Sequence, residues 1–153
     1  MTASRATSDR LRQVAVTVAE IGCILGTLVG VGVLGTRVEE SSGGALAADA
    51  TLLAPASPAF SIWSVIYGGL AAYTIWQWLP ANTANIRARR SGWLVALSML
   101  LNAAWLLVTQ QGWLWASVGV IAALVVTLGV LLRRLDETAP TSRAELVVVD
   151  GTM

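Results

Sequence analysis

The chain has 153 residues, 56% of them hydrophobic and only 12% charged, with a formal net charge of +1. Soluble domains carry about 25% charged residues, so this composition belongs to a protein that keeps much of its surface away from water. All ten basic residues are arginines, histidine is absent and Cys23 is the lone cysteine, which argues against a zinc site, an intrachain disulfide, imidazole catalysis or axial haem ligation, while the near-zero charge leaves no electrostatic footprint for nucleic acid.

Residues 1–13 are polar and bring Arg5, Arg10 and Arg12 up to the first apolar run, about 14–35. This run exceeds the ~7–15 residues of a signal-peptide core, and the small-residue stretch Ala45-Leu46-Ala47 lies well beyond its end, so a retained membrane helix is expected. Further runs cover about 60–79, 92–109 and 113–132. Each approaches the ~20 apolar residues that cross a bilayer, and a backbone in lipid must satisfy its own polar groups, which a helix does. The expected fold is therefore an all-α, polytopic membrane helical bundle, with four transmembrane helices in a domain covering 14–132. A polar tail, 133–153, follows.

Arginine placement gives an orientation. Arg5, Arg10 and Arg12 precede span one; Arg87, Arg89 and Arg90 lie between spans two and three; Arg133, Arg134 and Arg143 follow span four. Arg37 stands apart, near Glu39, Glu40 and Asp49. By the positive-inside rule the N-terminus is cytoplasmic, with an outer loop at 36–57, an inner loop at 80–91 and a tight outer turn at 110–112. A bacterial plasma membrane is the expected location. The outer loop opens on Ser41-Ser42-Gly43-Gly44 and closes on Pro55 and Pro58, and as the long loop it is the expected lid over anything held between the helices.

Span one carries Gly22, Gly26 and Gly30 at intervals of four, a ridge that lets another helix approach closely, either within the chain or in a homodimer. Glu20 is the one charge inside any span. A membrane carboxylate is a candidate proton-coupled group, and Ala19-Glu20-Ile21-Gly22 superficially resembles the first helix of small multidrug exporters, which makes a four-helix proton-coupled exporter the alternative reading. In span two, Phe60, Trp63 and Tyr67 share a face. In span three, Ser98, Asn102, Trp105 and Thr109 recur at helical spacing, and such a polar and aromatic stripe is expected to face the bundle interior. Asn102 either joins two helices by a hydrogen bond or lines an aromatic pocket with Trp105 and the span-two residues; spacing alone leaves both open. Trp76, Trp78, Trp93, Trp113 and Trp115 fall at span ends and are expected to anchor at the membrane interfaces. Trp63 and Trp105 lie deeper, roughly 5–8 Å inside the outer ends of their spans at ~1.5 Å per residue. No nucleophile–base pair, carboxylate pair or phosphate-binding glycine loop is present, so an enzyme is not expected.

The segment Phe60-Ser61-Ile62-Trp63-Ser64-Val65-Ile66-Tyr67, followed by Leu101-Asn102-Ala103-Ala104-Trp105, resembles the tryptophan-rich sensory protein or translocator protein (TspO/MBR) family. The resemblance covers about 52–132. It implies a five-helix membrane protein that binds porphyrins and other flat hydrophobic molecules beneath the first long loop, linked to tetrapyrrole regulation or transport. It needs no resident cofactor. Trp63, Asn102 and Trp105 match motif positions near the pocket, with Phe60 and Tyr67 as further matches, and Ser98 of the span-three stripe is a further ligand-binding candidate. The chain departs from the family in its separated prolines, Pro55 and Pro58, and in the three-residue spacing from Phe60 to Trp63. Residues 147–153 read as the lead-in to a fifth helix, so a shortened member is expected.

Overall fold

The computed structural model describes residues 2–30, 62–140 and 142–151, with side chains for 4–29, 64–140 and 142–151. The outer loop at 36–57, Phe60 and the side chain of Trp63 lie outside those limits. Within them the chain is helical, with no strand: α1 (Thr2–Gly30), α2 (Ile62–Trp76), α3 (Ile86–Gln110), α4 (Leu114–Asp136), a short α5 (Arg143–Glu145) and a π-helical turn (Leu146–Asp150). By length and composition α1, α3 and α4 are able to cross a membrane. The described part of α2 has 15 residues, fewer than a full span needs.

What is buried and what is exposed reverse the pattern of a soluble protein. Val14, Val18, Ile21 and Leu25 of α1 and Val118, Val125 and Val126 of α4 are exposed, whereas Arg12, Gln13, Glu20, Gln77, Ser98 and Asn102 are buried. Polar groups that turn inward while aliphatic ones turn outward suit a bundle surrounded by acyl chains. The molecule is a helical membrane bundle.

At its centre is α3, packed against α1 on one side and α4 on the other, while α2 rests on α1 and on the C-terminal π-turn. The buried face of α1 runs through Arg12, Val16, Ala19, Cys23 and Gly26, at steps of three and four. Gly26 makes the α1–α3 contact close: a Cβ there would lie 3.2 Å from the Cβ of Ala103. The glycine ridge is thus used inside the chain at Gly26, while Gly22 faces open space.

Two helices begin earlier than their apolar runs. α1 starts at Thr2, and α3 starts at Ile86, so Arg87, Arg89 and Arg90 belong to a helix rather than to a loop. Outside lipid the helix gains by continuing where a cap is at hand. The side chain of Asn85 supplies it by accepting from the Ala88 amide at 3.1 Å. At the other end of α3, the Trp113 amide donates to the Val108 carbonyl and the Gly112 amide to Thr109, the paired bonds of a Schellman motif. Gly112 holds φ at 75°, where a side chain would be strained, and this turns the chain sharply into α4.

The tail is not a loose polar extension. Val149 is fully buried and Glu145 almost so. Arg87, with its side chain 4% exposed, donates to both carboxylate oxygens of Asp150 and to the Leu135 carbonyl, while Asn85 donates to Glu145. These bonds fasten 143–151 across the arginine-bearing end of the bundle.

Candidate functional site

The candidate site is assembled from three helices around Asn102. Its Nδ2 donates to the Tyr67 hydroxyl oxygen at 3.0 Å and to the Cys23 sulfur at 3.6 Å. One residue thereby ties α3 to both α2 and α1. Asn102 is 6% exposed, and its Oδ1 has no hydrogen-bond partner. The two readings of this residue are therefore both present in one side chain: the amide nitrogen joins helices, and the carbonyl oxygen remains available.

Gly26 explains why α1 comes close enough for Cys23 to take part, since its contact with Ala103 lies beside Asn102 in the sequence of α3. Thr27 adds a second tie from α1, its side chain bonding to Tyr67 and its Oγ1 donating to the Cys23 carbonyl at 2.8 Å. Trp105 follows Asn102 by three residues on the same face and is half-buried. Thr109 lies a turn further on and is buried.

The remaining expected residues divide. Ser98 is buried as expected, but its hydroxyl donates back to the Val95 carbonyl of its own helix at 2.8 Å, a local bond rather than one across the bundle. The backbone of Trp63 lies in the first turn of α2, one helical turn before Tyr67. Phe60 lies outside the described residues, so the structure brings Tyr67, Asn102 and Trp105 into one region without bearing on Phe60.

Among the tryptophans, one expectation changes. Trp76 is 6% exposed and packs on Tyr73 with ring centroids 5.9 Å apart, so it is a core residue rather than an interface anchor. It follows Tyr73 by three residues, which puts both rings on the inward face of α2. Trp78, Trp93, Trp113 and Trp115 are exposed.

Sequence reasoning singled out Glu20 and the glycines of span one but missed Cys23 and Thr27. Glu20, Cys23 and Thr27 recur at three and four, the spacing of one helical face, and that signal was present in the chain. It also missed the polar layer at the arginine-bearing end. There Gln13 and Gln77 bond to each other's backbone carbonyls, and Arg12 crosses Gly92 to reach the Thr83 carbonyl at 3.1 Å. A cleft of about 220 Å³ near this layer is lined by Arg5, Asp9, Arg12, Arg89 and Trp93, far along α3 from Asn102. Asp9 forms an ion pair with Arg89 beside it.

This arrangement, with apolar faces turned outward and an Asn-x-x-Trp element turned toward a Tyr on the neighbouring helix, can be set beside known families. The family described as TSPO-like protein matches residues 15–151. The chain belongs to that family. No curated protein and no solved structure matches it. As a TSPO-like protein it is an integral membrane protein, in agreement with the resemblance carried by Trp63, Tyr67, Asn102 and Trp105. The match reaches beyond the motif helices to include α5 and the π-turn, so the docked tail belongs to the TSPO-like region.

Proposed function

We propose that this TSPO-like protein binds a porphyrin or a similarly planar hydrophobic molecule between α1, α2 and α3, in a sensory, regulatory or transport role. The observation that carries the reading is the buried, unpartnered Oδ1 of Asn102 beside Tyr67 and one turn from Trp105. Aromatic and aliphatic surface provides affinity for a flat apolar guest, and a few fixed polar atoms orient its edge. The family membership supports the same reading.

In this proposal the protein acts by binding, not by catalysis, and holds no resident cofactor. It sits in a bacterial plasma membrane with its N-terminus cytoplasmic. A homodimer through the glycine face of α1 is compatible with the open space at Gly22, although Gly26 is occupied by Ala103. Burial of Glu20 is the feature that speaks for the exporter reading.

The test is porphyrin titration in detergent or nanodiscs, read by quenching of tryptophan fluorescence. Trp105→Ala is expected to weaken the quenching-derived affinity about tenfold, in keeping with the loss of one aromatic contact to the guest. Unchanged affinity would remove Trp105 and its neighbours from the site.

A further inference from the structure

Glu20 and Asn102 leave three acceptor atoms in the bundle interior without a hydrogen-bond partner. Glu20 is 4% exposed, and neither of its carboxyl oxygens has a hydrogen-bond partner. Asn102 Oδ1 is in the same condition. Glu20 stands one turn before Cys23 on α1, and the Cys23 sulfur accepts from Asn102, so carboxyl and carboxamide border one polar patch between the helices.

Three side-chain donors around that patch are directed elsewhere. Asn102 Nδ2 serves Tyr67 and Cys23, Thr27 Oγ1 serves the Cys23 carbonyl, and Ser98 Oγ serves Val95. Arg12, the buried cation on the same helix, lies eight residues away and is directed to Thr83 and Asp9. A carboxyl group shut off from water with no donor is strongly disfavoured, and packing of α1 against α3 needs nothing polar at position 20. The chain nevertheless leaves both carboxyl oxygens of Glu20 and the Oδ1 of Asn102 without a partner here.

We propose that Glu20, together with Asn102 Oδ1, receives hydrogen-bond donors of the guest, so that the site selects flat apolar molecules bearing an N–H group over molecules of the same outline that bear none. This rests on the ligand-binding reading above and adds the chemistry of the guest's polar edge. A guest with an N–H group satisfies acceptors that are otherwise unpaired. One without it leaves them buried and unpaired.

Carbazole and dibenzofuran test this directly, because the two tricycles share an outline and differ in N–H against O. Isothermal titration calorimetry on the full chain in one detergent gives both affinities, and the same detergent background applies to every variant. Wild type is expected to bind carbazole about tenfold more tightly, the worth of one hydrogen bond to a buried acceptor. In Glu20→Leu the preference should shrink to within about twofold, and Glu20→Gln, which keeps one acceptor oxygen and the shape, should retain part of it. Helix content and monodispersity of both variants report folding separately. Equal binding of the two tricycles by wild type overturns the assignment while porphyrin quenching keeps the ligand reading in place. So does a preference undiminished in both variants, or a protein that binds porphyrin and neither tricycle. Failure to bind porphyrin or either tricycle overturns both.

Discussion

Asn102 on α3 donates to the hydroxyl of Tyr67 on α2 at 3.0 Å, across 35 positions of sequence. The bond requires Tyr67 to face α3, while the packing of α2 is against α1 and the π-turn.

Removing the acceptor should therefore loosen α2. Tyr67→Phe is expected to cost about 0.6–1.5 kcal/mol, the range for one hydrogen bond in a membrane bundle or a protein interior. Thermal unfolding in detergent should show a lower midpoint for Tyr67→Phe, and a larger drop for Asn102→Leu, which loses both cross-helix bonds. An unchanged midpoint in both variants would mean that the bonds do not hold the helices in register.

Gly26 is the tightest point between α1 and α3. A Cβ there meets Ala103 Cβ at 3.2 Å and Ala103 Cα at 3.3 Å, so Ala103 must yield by a few tenths of an ångström to admit alanine. Gly26→Ala should be tolerated with a small loss. Gly26→Val adds an isopropyl group to a closed contact and should cost about 1–3 kcal/mol. If separation of α1 from α3 also breaks the Cys23–Asn102 contact, porphyrin affinity will fall with stability in Gly26→Val, whereas Gly22→Val, in open space, will leave both near wild type.

At the opposite end, Arg87 secures the C-terminal segment. Its guanidinium is 4% exposed on the side chain, while Asp150 is 34% exposed, so part of the pair is screened by solvent. Asp150→Asn should cost about 1 kcal/mol, and Arg87→Ala about 3 kcal/mol, because the latter leaves buried Glu145 without its cation as well. Hydrogen exchange over 143–151 is the measurement. Arg87→Ala should abolish protection there while α3 stays protected beyond its first turns, and full protection of the segment would show that Val149 alone holds it.

The membrane-facing side of the bundle is open to direct test through its indoles. Trp115 is 90% exposed and Trp76 6%. Brominated lipids should quench Trp115 strongly and Trp76 weakly. Replacing Trp115 with Phe should then reduce the quenchable fraction of the emission, and replacing Trp76 should raise it. The reverse ranking would put the outward faces of α2 and α4 in the wrong environment.

Sequence alone determined that this is a helical membrane protein, because the length and apolarity of a span are properties of a local window and lipid leaves a backbone few other solutions. It also marked Asn102 and Trp105, whose spacing on one helix needs no knowledge of neighbours. Pairing was beyond it. That Tyr67 rather than another residue meets Asn102, that Cys23 joins them, that Trp76 turns inward and that Arg87 holds Asp150 depend on how helices rotate and cross, and these are set by contacts such as Gly26 on Ala103 that link distant positions. Helix period is written in adjacent residues, whereas the choice of partner is made by close packing between them.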